Sequence, residues 1–335
     1  MTAPGARAQI PAGPAAGAPQ SPVVLVRDPN AVSGLTVDLA RVRAMVSGGM
    51  RALTDRDSDA AAWSTLFSSN DVVGIKVNTQ CGLLQSTRPE VVDAIVDGLR
   101  AAGVRPANIV IWDRDASKLR AAGYTVGVQS SGVCVADVLP DTGWDPKIFY
   151  DSKVVGRLIW GDLMFGKEGN ILSTQSHLPK LLTQTITKLI DVPVLQDNDA
   201  CGLAGCLYNV SVQTVDNNRR FESTGQGESI AIVSICAMPV VRAKLTLCVM
   251  DGLVGGYAGG PEFSPEFSWP YGGLYFSRDP VALDAVALKL LEDKRREQKI
   301  SPIGVLGQHV GVAGEVGLGQ AKLDHIDLIE TPPAK

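Results

Sequence analysis

Apolar and polar positions along the chain follow two rhythms. Near-continuous apolar runs at 22–27 (PVVLVR), 71–77 (DVVGIKV), 108–112 (NIVIW), 191–195 (DVPVL), 245–251 (LTLCVMD) and 274–277 (LYFS) predict short strands buried on both faces. Between them the spacing turns helical. Residues 35–54 place Leu39, Val42, Met45, Val46, Met50 and Leu53 on one stripe. Residues 88–103 do the same with Val91, Ile95 and Leu99, with Thr87 at the N-cap position, Pro89 and Glu90 in the first turn and Gly103 at the end. Residues 180–190 predict a short helix, 226–244 a helix broken at Pro239, and 279–296 a strong helix with Asp279 as its cap and Pro280 in its first turn. Residues 326–329 add an edge strand. Residues 142–176 are irregular and read as an insertion, and the Gly-, Pro- and aromatic-rich stretch 252–273 is a loop long enough to be functional or mobile.

Strand, helix and strand over 71–112 form a βαβ unit, which requires parallel pairing and a right-handed crossover. The fold class predicted is α/β, a mostly parallel sheet flanked by helices with one irregular insertion. The domain layout is an Ala/Pro/Gly tail over 1–21 and a single α/β domain over 22–335, since 335 residues with 45% apolar content can bury a large core. There is no internal repeat.

Net charge is −4 with no basic block, and aromatics are 5%, which argues against nucleic acid as the partner. No apolar run of transmembrane length occurs. The first 22 residues have neither an apolar signal core nor twin arginines, so the chain as written reads as cytoplasmic; a spacer left after removal of an export signal has the same composition, which would place it outside the cytoplasm. Of six cysteines none forms a C-x-x-C pair, so the usual zinc and iron–sulfur spacings are missing, and Cys201 and Cys206 either pack as small apolar residues or bridge. The sequence leaves the oligomeric state undetermined.

Parallel strands share one carboxyl edge, and ligands of open α/β sheets bind there. The strand ends carry Lys76 with Asn78, Asp113 with Arg114 and Asp115, Gln196 with Asp197, and Asp251. The helix start at Thr87 and Arg88 suits an anion. The stretch 191–221 adds Asn198, Gly202, Gly205, Asn209, Asn217, Asn218 and Arg220 after a short strand. The candidate site therefore assigns proton handling to Lys76, Asp113 and Asp197 and ligand contact to Asn78, Thr87, Arg88, Arg114, Asn198, Gly202, Gly205, Asn209, Asn217, Asn218, Arg220 and Asp251, for a small anionic molecule. Asp113, Asp197 and Asp199 are also carboxylates of the kind that hold magnesium or calcium. Each residue has an ordinary alternative as a cap, turn or solvated side chain. His177, His309 and His325 show no ligand spacing.

The segments DVVGIKVN, STRPEVVDAIVDGLRAAGV with NIVIWDRD, DVPVLQDNDACGLAGCLYN with VDNNRRF, and SRDPVALDAV occur in an order that resembles the bacterial and archaeal domain-of-unknown-function family 362 over roughly residues 70–320. Some members of that family are fused to ferredoxin-type modules and others carry export signals; this chain is similar to the second group and lacks the ferredoxin cysteines. More distantly, 198–208 is similar to the nickel-pincer lactate racemases, which have a histidine, then Ala-Gly, then Gly, then a cofactor-bearing lysine. The glycines match Gly202 and Gly205, but the histidine and lysine positions are Asn198 and Tyr208, and Gln196, Asp197 and Asn198 stand where the unknown-function family commonly shows Lys-Asp-His. An amide is no general base near neutral pH. The resemblance thus implies neither an iron–sulfur cluster nor a covalent nickel-pincer nucleotide here, leaves the cofactor unknown, and makes a non-catalytic binding protein the alternative to an enzyme.

Overall fold

The computed structural model describes residues 20–34, 36–139, 142–157, 172–221 and 226–334. Residues 1–19 of the tail and 158–171 of the insertion lie outside the described residues. The chain opens with strand β1 (Ser21–Arg27), a small β2–β3 hairpin (Val32–Ser33, Thr36–Val37) and helix α1 (Leu39–Thr54). Asp38 caps α1 by accepting from the amides of Ala40 and Arg41, so the helix starts at Leu39, the first residue of its apolar stripe, rather than at residue 35. Helix α2 (Asp59–Ser64) leads to β4 (Val73–Val77). A one-turn α3 (Gly82–Gln85) precedes α4 (Pro89–Ala101), then β5 (Ile109–Trp112), α5 (Ala116–Ala121) and a β6–β7 edge (Gly127–Val128, Cys134–Ala136).

The irregular stretch after residue 142 contains a hairpin, β8 (Trp144–Arg157) and β9 (Leu172–Pro179), paired antiparallel and separate from the main sheet. The helix expected over 180–190 is a single wide turn, Leu181–Thr185, followed at once by β10 (Lys188–Val192). The β-branched run Thr185, Ile186, Thr187 resists helix, and β10 gains a full ladder against β4 from Lys188↔Val73 to Val192↔Val77. Pro193 has no N–H to donate and separates β10 from the short β11 (Val194–Gln196). There follow α6 (Cys206–Val210), α7 (Gln226–Cys236), α8 (Pro239–Lys244) beyond the expected break, β12 (Leu245–Gly256), β13 (Ser268–Trp269), β14 (Gly273–Ser277), α9 (Pro280–Glu297), α10 (Gln308–Glu315) and β15 (Ile326–Thr331). Strand β12 runs five residues past the expected end and shortens the loop after it. Asp279 caps α9 through the amides of Val281 and Ala282.

The main sheet runs β15-β1-β14-β12-β10-β4-β5-β7-β6. Its centre, β12-β10-β4-β5-β7, is parallel throughout, while β14 and β6 join antiparallel. The four strands read from the sequence at 71–77, 108–112, 191–195 and 245–251 are thus contiguous. Successive strand residues point to opposite faces, and each face has its own core. Val24, Ile75, Ile111, Ile190 and Val249 pack with Met45, Trp63, Ile95 and Leu99 of α1, α2 and α4. Val23, Val110, Leu189 and Met250 pack on the other side with Leu207, Ile232 and Leu283 of α6, α7 and α9. No helix among the described residues is long and apolar enough to cross a membrane.

Candidate functional site

At the carboxyl ends of β4, β5 and β10 a buried polar network replaces the apolar core. Lys76, on β4 and fully buried, directs its three donors to the Val77 carbonyl (2.8 Å), Asp113 Oδ1 (2.9 Å) and Asn209 Oδ1 (3.1 Å). Asp113 follows β5. Its Oδ1 also accepts from the Arg114 amide (2.7 Å), and its Oδ2 from the amide (3.0 Å) and hydroxyl (2.6 Å) of Thr79. Burial raises the Asp113 pKa, but the Lys76 charge and these hydrogen bonds outweigh it and hold the carboxyl below its ordinary value. Asn209, on α6, passes the network on: its Nδ2 donates to Asp191 Oδ1 on β10 at 2.7 Å. Asp191 is fully buried and its Oδ2 has no hydrogen-bond partner. Burial pushes its pKa well up, against the opposing pull of Asn209 and Lys76.

Helix α6 is aimed into this network from the other side by Asp284 of α9. Asp284 accepts from the amides of Cys206 (2.7 Å) and Leu207 (2.9 Å). Burial pushes its pKa up to about 7 despite those two bonds. Gly205 makes this approach feasible, since a Cβ there would lie 2.2 Å from Asp284 Oδ1. Gly202, with φ +83°, packs where a Cβ would meet Ile303 and the Gly307 amide. Both glycines therefore serve close packing around α6.

Above the network lies an open cavity of about 530 Å³ lined by Asp113, Arg114, Asn198 and Asn218, together with Tyr208 and several charged groups. Asn198 Oδ1 accepts from the amides of Ala200 (2.8 Å) and Cys201 (3.2 Å) and shapes the wall. Asn218 is 4% exposed, and its Oδ1 has no hydrogen-bond partner. Burial pushes the Tyr208 phenol up, and its oxygen accepts from Gln213 at 2.6 Å. Among the charged lining groups, Lys118 and Arg219 are exposed cations and Asp115, Asp199 and Glu262 exposed carboxylates; Glu228 is buried. Asp115 caps α5 through the amides of Ser117 and Lys118.

Other sequence candidates lie outside this cavity lining. Thr87 was read as the N-cap of α4, but that position belongs to Arg88, whose side chain makes no cap bond. The Thr87 hydroxyl instead accepts from the Asn78 amide and donates to the Val192 carbonyl, clipping the ends of β4 and β10 together. Asn78 turns the chain by accepting from the Gln80 amide (3.1 Å). The Arg88 amide donates to Asp251 Oδ2 at 3.0 Å and its guanidinium lies 3.5 Å from the same oxygen, so the helix start expected to hold an anion already faces a protein carboxylate. Asp197 accepts from the Gly260 amide (3.0 Å) and faces Arg295 (3.5 Å) behind the 257–261 loop; burial pushes its pKa up to about 6. Asn217 donates to the carbonyls of Ser173 and Gln175, and Arg220 to Ser176, Ser152 and Tyr150, so both anchor the β8–β9 hairpin. His177 pairs with Asp216 (3.0 Å), which raises its pKa, whereas burial lowers His309 to about 4.

Sequence reading passed over Gln80, Lys118, Gln213, Glu228 and Glu262 in the lining. Lys118 could have been found, since it lies one helical turn beyond Asp115 at the start of α5. Glu228 carries no such signal, because the fold alone brings α7 against the carboxyl edge. Cys201 and Cys206 are free thiols, as are the other four cysteines.

The fold and this edge define an α/β protein with a polar cavity beyond its parallel strands. The chain belongs to the family described as "Domain of unknown function (DUF362)", whose model matches residues 73–289, from β4 into α9. A crystal structure of a protein from Thermotoga maritima is similar at a TM-score of 0.44 and 10% identity, covering 80% of this chain and 61% of that one. This chain thus spans less than two thirds of that chain's length. No curated protein matches the sequence.

Proposed function

We propose that the chain binds a small polar molecule with an anionic group in the cavity beyond β4 and β5. The observation that carries this reading is Asn218: a 4% exposed side chain on the cavity wall whose Oδ1 has no hydrogen-bond partner. A buried acceptor left unmet costs about 1–3 kcal/mol, and a donor on the ligand would remove that cost. Lys118 and Arg219 at the rim supply the positive charge for the anionic end. Lys76 and Asp113 act in this reading as a fixed floor, because every donor of the amine and both carboxylate oxygens already have partners.

Calorimetry with a panel of small carboxylates and phosphates tests the reading. A panel member should bind, and Asn218→Ala or a Lys118→Ala/Arg219→Ala pair should weaken it about tenfold, which is about 1.4 kcal/mol. Absence of binding across the panel, or affinity unchanged in both variants, would count against it. A second reading, proton abstraction from the bound molecule, draws on Asp197: its pKa of about 6 suits a general base near neutrality, its neighbours Asn198 and Asp199 line the cavity, and the 257–261 loop that covers it would have to open. Turnover that vanishes in Asp197→Asn with ligand affinity retained would establish the enzyme.

A further inference from the structure

We propose that Asp191, Cys206 and Cys248 form a buried site for a thiophilic divalent ion of the zinc type. The three residues are 15 and 42 positions apart in sequence, a spacing that matches no zinc motif. The fold brings them together. Asp191 of β10 and Cys248 of β12 are register partners on neighbouring parallel strands, and Cys206 opens α6 above them. One ligand atom from each lies within 4.8 Å of the other two, and all three residues are fully buried.

Asp191 itself also points to a ligand. Its Oδ1 has Asn209 as donor, its Oδ2 is buried without a hydrogen bond of regular geometry, and the Cys206 thiol lies close enough to favour its charged form. A tetrahedral zinc with bonds of about 2.3 Å to sulfur and about 2.0 Å to oxygen holds its ligand atoms about 3.5–3.8 Å apart. Three atoms already within 4.8 Å of one another reach that spacing by shifts of about 1 Å. Thiolate sulfur selects zinc over magnesium or calcium. Three protein ligands leave the fourth position to a water molecule. All three protein ligands are buried, so the ion would be held away from bulk solvent.

The charge balance is explicit. As one divalent ion enters, the two thiols give up their protons to solvent, as does the Asp191 carboxyl where it carries one, so the filled cluster of two thiolates, one carboxylate and one divalent cation bears a single negative charge. Lys76, joined to Asp191 through Asn209 and already paired with Asp113, is the cation that faces this charge and is shared between the two. The ion would then stiffen the floor under the cavity without touching its contents, whether or not the cavity binds an anion. Because the site is sealed, it loads as the chain folds.

The test is to unfold the full chain in chelator and reductant, then refold it with cobalt(II) and afterwards with zinc. We expect about one ion per chain, a thiolate-to-cobalt charge-transfer absorption that zinc bleaches, and affinity that rises with pH because protons leave on binding. Cys248→Ala should abolish the absorption, and Cys134→Ala, away from the cluster, should leave it intact. The near-isosteric Asp191→Asn carries the test if Cys248→Ala does not fold, and should cost at least about tenfold in cobalt affinity. Refolded wild type with below about 0.1 ion per chain, absorption retained in Cys248→Ala, unchanged affinity in Asp191→Asn, or a native mass showing a Cys206–Cys248 bridge would overturn the proposal.

Discussion

Asp113 and Asp191 sit at the carboxyl ends of two strands that flank β4, both buried and both within reach of the Lys76 network, yet they are pushed in opposite directions. Asp113 accepts from Lys76, from Thr79 twice and from the Arg114 amide, and its pKa is held down. Asp191 has Asn209 as donor on one oxygen and none on the other, and its pKa is driven up. Burial alone therefore does not decide ionisation. The Lys76 charge in direct contact and the number of donors meeting the carboxylate do, since both favour the charged form and offset desolvation.

The largest effect should come from removing the cation that separates the two cases. Lys76→Met leaves a buried, uncompensated Asp113 charge and strands Asn209, and breaking such a pair costs about 3–5 kcal/mol. Urea unfolding at neutral pH measures this, and a loss below about 1 kcal/mol would show that Asp113 does not depend on Lys76. Asp113→Asn, which keeps the shape but leaves the buried Lys76 cation unpaired, should cost a similar amount, about 3–5 kcal/mol in the same measurement.

The pH dependence sharpens the contrast. Asp113 has a folded pKa below its unfolded value of about 3.9, so its stabilisation is present above that value and is lost as pH falls through the folded one. Asp284 runs the other way. Its folded pKa is about 7, so its contribution is complete below about pH 4 and is lost as pH rises through about 7. Urea midpoints for Asp284→Asn should accordingly fall less between pH 4 and 7 than those of the wild type; an unchanged slope would remove Asp284 as the cause. The smallest effect should be Asp191→Asn in metal-free protein. An amide replaces a carboxyl whose charged form burial already disfavours, so the cost should stay below about 1 kcal/mol, far less than for Asp113→Asn. Equal costs would erase the distinction between the two sites.

Much of the architecture was readable in order along the chain. Apolar runs such as VGIKV and IVIW are too short and too continuous for surface helices, and the intervening helical spacing demands parallel crossovers. The reading failed where local pattern and long-range pairing disagree. Residues 188–190 look helical from the leucines before them, but the β4 edge captures them as strand. Thr87 has the chemistry of a cap, but the nearby Asn78 amide and Val192 carbonyl claim its hydroxyl.

The sequence by itself determined that Lys76, Asp113 and Gln196 stand at strand ends, because strand position follows from apolar runs and side-chain alternation, both local properties; Asp251, also expected at a strand end, lies inside β12, which continues to Gly256. Only the tertiary structure decided what each is free to do. Asp251 faces Arg88, Lys76 is taken by Asp113 and Asn209, and Arg220 is held by the β8–β9 hairpin, so these groups spend their hydrogen-bonding capacity on the fold. Asn218 and Asp191 each keep an unpartnered oxygen, and Cys206 comes to lie beside Cys248 across two elements. Hydrogen-bond satisfaction depends on partners tens to hundreds of residues away, and no local spacing encodes it.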